Sequence, residues 1–147
     1  MKRISRDYMY MEISRTLSLR STCSRARVGA LLVRDGRVVA TGYSGAPSGM
    51  PHCTEVGCLI GPHGGCDRTV HAEANVIAFA ARHGISSEGS TLYVTLSPCT
   101  QCAKLIINAG ITHVVYDEEY RDKSGIHLLE SAGVVVRPFH ESDTLIH

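Results

Sequence analysis

An excess of charge of either sign is missing from this chain. Its 15 Lys and Arg nearly balance 14 Asp and Glu, for a formal net charge of +1. That is too small for a general nucleic-acid surface, so no nucleic-acid partner is expected. Long apolar runs are missing too, and no stretch approaches the length of a membrane-spanning helix, so no membrane association is expected. The N-terminal region is broken by Arg6, Asp7, Glu12 and Arg15 and holds no apolar core of a secretion signal. A cytoplasmic location follows as an expectation. There is no internal repeat and no compositional break, so residues 1–147 read as a single domain, long enough to bury a core unaided. Hydrophobic residues at 44% and charged residues at 20% fit a folded globular chain. Six cysteines in such a chain point to metal rather than to disulfides.

The densest chemistry lies in Thr95–Leu96–Ser97–Pro98–Cys99–Thr100–Gln101–Cys102. If a helix starts at Pro98 or Cys99, Cys99 and Cys102 share a face of its first turn. The helix N-terminus favours their thiolate forms there. By itself C-x-x-C fits a zinc pair, a redox dithiol or coincidence. His71–Ala72–Glu73, at the start of another helix, decides among them. One His and two Cys give three protein ligands and leave a fourth tetrahedral position open, the layout of a catalytic zinc site. Glu73 is then free to move protons. H-x-E followed by P-C-x-x-C is the signature of zinc-dependent nucleobase deaminases.

Periodicity supplies the rest of the chain. Residues 5–20 read as a helix capped by Ser5, with Met9, Ile13 and Leu17 as its apolar stripe. Strands are expected at 28–33 and 37–43, joined by a tight Asp35–Gly36 hairpin. Residues 44–68, with three prolines, six glycines, three cysteines and two histidines, form a Cys/Gly-rich insertion without a period. A helix over 71–83 carries Val76, Ile77, Phe79 and Ala80 as its stripe. A strand at 91–95, a helix at 100–109, a strand at 112–116, a helix at 124–132 and a short strand at 134–136 follow. The tail from Pro138 is polar and carries no signal. This order implies α/β architecture, a mixed five-stranded sheet with helices on both faces and the ligand site at one sheet edge.

The chain resembles deoxycytidylate (dCMP) deaminases of the cytidine deaminase superfamily from about Cys23 to Arg137. The carrying motifs are Cys23–x–Arg25–x–x–Val28–Gly29–Ala30, Gly42–Tyr43–Ser44–Gly45–x–Pro47, His52–Cys53, Cys58, Cys66–x–Arg68–Thr69–Val70–His71–Ala72–Glu73 and Thr95–x–Ser97–Pro98–Cys99–x–x–Cys102. The resemblance implies a three-layer α/β/α sandwich and the conversion of dCMP to dUMP and ammonia, serving dTTP supply. It implies that backbone groups of Ala72 and Ser97 hold the base edge and that Tyr120 stacks on it. It also implies a homo-oligomer, a hexamer being one form, with dCTP and dTTP as effector candidates. One departure stands out: Ser44 occupies the place of an Asn that the family associates with sugar recognition, and serine offers fewer hydrogen bonds. Competing readings are a deaminase of another cytosine nucleoside or nucleotide, and a zinc-stabilised nucleotide-binding module without catalysis.

Two further expectations come from side-chain chemistry. Arg25, Arg27 and Arg68 are candidates for the 5′-phosphate, because guanidinium binds phosphate through a forked pair of hydrogen bonds. Cys23, Cys53, Cys58 and Cys66 are candidates for a second, structural zinc that orders the glycine-rich insertion, with His52 and His63 as substitute ligands. The alternative is four free thiols packed as small apolar side chains.

Overall fold

The computed structural model describes residues 2–62 and 64–146. Its elements, in chain order, are β1 (Arg3–Ile4), α1 (Arg6–Ser18), β2 (Gly29–Arg34), β3 (Arg37–Tyr43), α2 (Cys53–Val56), α3 (Ala72–Arg82), β4 (Thr91–Leu96), α4 (Thr100–Asn108), β5 (His113–Glu118), α5 (Ser124–Ser131), β6 (Val135–Pro138), a 3₁₀ turn (Glu141–Thr144) and β7 (Leu145–Ile146). The main sheet has five strands in the order β3-β2-β4-β5-β6. β2 runs antiparallel to both β3 and β4, while β4, β5 and β6 are parallel. The mixed sheet and three-layer sandwich expected from the alternation of strands and helices are present.

Strand periodicity divides the core. Ala30, Leu32, Leu92, Val94, Val114 and Tyr116 face one side and meet Val76 and Ala80 of α3, Ala103 and Ile106 of α4, and Ile126 and Leu129 of α5. Leu31, Val33, Tyr93 and Val115 face the other side and meet Tyr10 and Met11 of α1 and Phe139. Each central strand is therefore apolar on both faces, as a doubly covered sheet requires. In the β2–β3 turn Asp35 and Gly36 have φ of 53° and 73°, the left-handed pair that suits a two-residue hairpin.

Three expectations need correction. The buried face of α1 is Tyr10, Met11 and Ser14, whereas Met9 and Ile13 are exposed. Ser14 can enter the core because its hydroxyl donates to the Tyr10 carbonyl, 3.0 Å away. That shifts the apolar stripe by about one position. Phe79 points out of α3 and stacks on His83, with ring centroids 4.4 Å apart. The tail beyond Pro138 is structured: Phe139 is buried, and β7 pairs antiparallel with β1. The Ser5 hydroxyl also bonds the Asp143 carbonyl.

Candidate active site

Two helix N-termini meet near one edge of the sheet, α3 after β3 and the insertion and α4 directly after β4. His71 is the residue before α3, with φ −66° and ψ 151°, and Cys99 is the residue before α4, with φ −75° and ψ 171°. Such positions usually carry Ser, Thr, Asp or Asn, whose side chains fold back onto the helix. Here neither side chain caps its own helix. They turn toward each other instead. His71 Nδ1 lies 3.5 Å from Cys99 Sγ and 3.4 Å from Cys102 Sγ. The three ligand atoms lie within 4.8 Å of one another. Zinc bonds of about 2.3 Å to sulfur and 2.0–2.1 Å to nitrogen at a tetrahedral angle place S and N roughly 3.6 Å apart. The donor set and its spacing therefore fit zinc without rearrangement. Cys99 stands one residue before α4, as the helix expected over 100–109 places it, and Cys102 occupies the first turn.

Electrostatics agree with a metal-binding cluster. Hydrogen bonds from the Cys102 thiol, then from the His71 ring, hold Cys99 down to about 4 against the cost of burial. Cys102, which donates to Cys99, is pushed up, and His71 is raised by its bond to Cys99. Glu73, in the first turn of α3, is 4% exposed. Burial pushes its carboxyl up to about 7, with the neighbouring His71 acting in the opposite direction. A carboxyl with a pKa near neutrality can both take and give a proton at working pH.

His71, Glu73 and Cys99 open onto a cavity of about 370 Å³. Its lining includes Cys23, Arg25, Ser44, Thr69, His71, Ala72, Glu73, Ser97, Cys99, Tyr120 and Arg121. Arg25, Ser44, Ala72, Ser97 and Tyr120, assigned above to substrate, therefore reach one space. Some of their polar atoms are already engaged. Ser44 Oγ lies 2.6 Å from Ser21 Oγ, accepts from the Val28 N–H at 3.0 Å and donates to the Ala26 carbonyl at 2.9 Å. Ser97 Oγ accepts from the Tyr120 N–H at 2.7 Å, and the Ser97 N–H donates to the Glu118 carbonyl at 2.9 Å. Arg27 and Arg68 do not line the cavity. Their guanidinium groups donate to the carbonyls of Leu19, at 2.6 Å, and Gly57, at 3.1 Å. At the metal end, α5 closes against the catalytic turn. A Cβ on Gly125 would sit 2.0 Å from the Pro98 carbonyl, so only glycine allows that contact.

The Cys/Gly-rich insertion gathers a second cluster. Sulfur atoms of Cys53, Cys58 and Cys66 lie within 4.8 Å of one another, with Cys53 and Cys66 3.6 Å apart. Cys23 is not in this group, and its sulfur accepts from the Ala26 N–H at 3.4 Å. His52 Nδ1 is buried and has no hydrogen-bond partner among the described residues. His63 lies outside the described residues. Thr69 links the two clusters: its hydroxyl is 3.4 Å from Cys53 Sγ, and it lines the catalytic cavity. Ser21 and Arg121 escaped the sequence reading, and Thr69 entered it only as a member of a carrying motif. Only Arg121 carried a signal, as the cation beside Tyr120.

The model of the cytidine and deoxycytidylate deaminase zinc-binding region matches residues 4–118. ComE operon protein 2 of Bacillus subtilis is 44% identical over 99% of this chain and 77% of its own length. The deoxycytidylate deaminase of Enterobacteria phage T4 is 36% identical over 86% of each chain. The crystal structure of dCMP deaminase from the cyanophage S-TIM5 in complex with dCMP and dUMP superposes with a TM-score of 0.79, at 36% identity over 89% of this chain and 94% of that one. With its His–Cys–Cys triad, buried carboxyl and nucleotide-sized cavity, the chain belongs to the cytidine and deoxycytidylate deaminase family.

Proposed function

We propose that the chain hydrolyses dCMP to dUMP and ammonia. The observation that carries this reading is the one cavity onto which His71, Cys99 and the buried Glu73 open, with Cys102 completing the cluster behind it. Relatives named deoxycytidylate deaminase support the substrate. Zinc, held by His71, Cys99 and Cys102, would act as a Lewis acid that lowers the pKa of a water molecule to about 7. Glu73 takes the proton from that water and passes it to N3 of the cytosine ring. Once the water oxygen has bonded to C4, Glu73 carries its second proton to the amine, the C4–N bond breaks and ammonia leaves, so that both protons of the water are accounted for. Backbone groups of Ala72 and Ser97 hold the base edge in this reading, and Tyr120 stacks on it.

The Cys53–Cys58–Cys66 cluster is proposed to hold a structural zinc, with Cys23, His52 or His63 completing the set. Association of copies is supported by exposed Phe79 and Leu105 on α3 and α4. Thiol ligands fit a reducing, cytoplasmic setting. Ammonia release on mixing zinc-loaded protein with dCMP, dCTP, deoxycytidine, cytidine and cytosine tests the reaction, and dCTP or dTTP added to the assay tests regulation. The dCMP rate should exceed the others. Faster turnover of another member of the panel would replace dCMP as substrate, and no turnover of any would support the non-catalytic reading.

A further inference from the structure

We infer that Asn75 is a positioning residue for the reaction: its side-chain amide sets how His71 meets Cys99 and Cys102. This rests on the zinc-dependent reading above and deepens it. The starting point is a helix entry without its usual support. His71 precedes α3, where a capping side chain would normally hold the first turn, yet its ring is turned toward the two thiols. Asn75, one turn further on, holds the entry from inside the helix. Its Nδ2 donates to the Val70 carbonyl at 3.4 Å, and its backbone N–H donates to the His71 carbonyl at 3.0 Å. Both peptide groups that flank His71 therefore end on this one residue.

The same amide also grips the sheet. Nδ2 donates to the Tyr43 carbonyl at 2.8 Å. β3 is an edge strand, and the neighbouring Ser44 N–H bonds the Val28 carbonyl across the ladder at 2.9 Å. By the alternation of antiparallel pairs, the Tyr43 carbonyl turns to the open side of β3, away from β2. Asn75 supplies its donor. Two more contacts fix α3 on that edge. Val70 and Gly45 exchange backbone bonds of 2.8 and 3.1 Å. A Cβ on Gly42 would lie 2.8 Å from Val76 Cγ2 and 3.0 Å from the Ala72 carbonyl oxygen, so α3 lies directly on the strand. Asparagine is a poor residue for a helix interior, and alanine would serve the helix better. What alanine lacks is the forked donor that joins the end of β3, the peptide before His71 and the start of α3.

The test compares wild type with Asn75→Asp and Asn75→Ala. Aspartate keeps the shape and removes the amide donors, and the helix dipole favours it in the first turns, so it carries the test should alanine weaken the fold. Each protein is loaded with zinc for kinetics and with cadmium for cadmium NMR, in which sites with different numbers of thiolate ligands give separate resonances. In both variants kcat for dCMP should fall roughly ten- to a hundredfold with KM little changed, as for a displaced reacting group. The resonance of the His71–Cys99–Cys102 site should move, while any resonance from the Cys53–Cys58–Cys66 cluster stays. A purely structural role would lower the thermal midpoint and leave the first resonance and kcat per loaded site unchanged, and that outcome overturns the proposal. If zinc-loaded wild type deaminates no cytosine compound, the reaction reading fails on its own, and the cadmium resonances of wild type and Asn75→Asp still decide the role of Asn75.

Discussion

The hydroxyls of Ser21 and Ser44 meet at 2.6 Å, both residues being buried, and of the two Ser44 lines the cavity. Through Ser44 this pair satisfies the Val28 N–H and the Ala26 carbonyl, and Ser21 Oγ also accepts from the Cys23 N–H at 3.2 Å. The pair stitches residues 21–28 onto the end of β3. Ser44→Ala leaves two backbone groups without their partner, which costs about 1–3 kcal/mol for an unsatisfied buried group. Denaturant midpoints of wild type and variant check this. No loss of stability would mean that water or a neighbour takes over the bonds.

Glu73→Gln should keep the fold and bound zinc while turnover falls about 100- to 10,000-fold, the usual contribution of a general acid–base group. Metal content and steady-state rates, measured on the same preparation, separate a lost proton carrier from a lost metal. Full activity in this variant would refute the role given to Glu73.

Glu73 also makes a signed pH prediction for metal-free protein. Its carboxyl moves from an ordinary 4.5 to about 7 on folding, so between those values the folded chain binds the proton more tightly than the unfolded chain. The stability contributed by this group is then present below about pH 4.5 and is lost as pH rises through 7. The size is on the order of 3 kcal/mol for a shift of that extent. Cys99, held low, acts with the opposite sign, so the readout is a difference. Metal-free wild type should lose more stability between pH 5 and 7.5 than metal-free Glu73→Gln, by denaturant titration. Parallel curves would contradict it.

Two zinc ions per chain are expected on metal analysis of protein prepared without chelator. Replacing Cys53 and Cys66 with serine should remove one and lower the thermal midpoint, leaving His71, Cys99 and Cys102 loaded. One zinc per fully active wild-type chain would exclude the second site.

The His71–Cys99–Cys102 cluster was legible because its members are rare residue types in tight spacing, and Cys99 and Cys102 need only one turn of helix to meet. The strands were legible because period two and the Asp35–Gly36 turn leave few alternatives. The face of α1 was not legible. Ser14 counts as polar in a sequence, yet its hydroxyl is satisfied by the preceding turn, which lets it take the place expected for Ile13. The tail was misread because the single buried Phe139 carries its docking, and one apolar residue makes no period.

The two bonds of Ser97 have a wider consequence. Its N–H follows the β4–β5 pairing, and its hydroxyl holds the loop that bears Tyr120 and Arg121. The metal ligands hang from other atoms, at the starts of α3 and α4. Chemistry and recognition therefore have separate attachment points on one rigid edge. Residues 119–123 are pinned at one end by Ser97 and at the other by Gly125 against Pro98, so changes of composition that keep the loop's length are the ones that can alter recognition while the reacting groups stay in place.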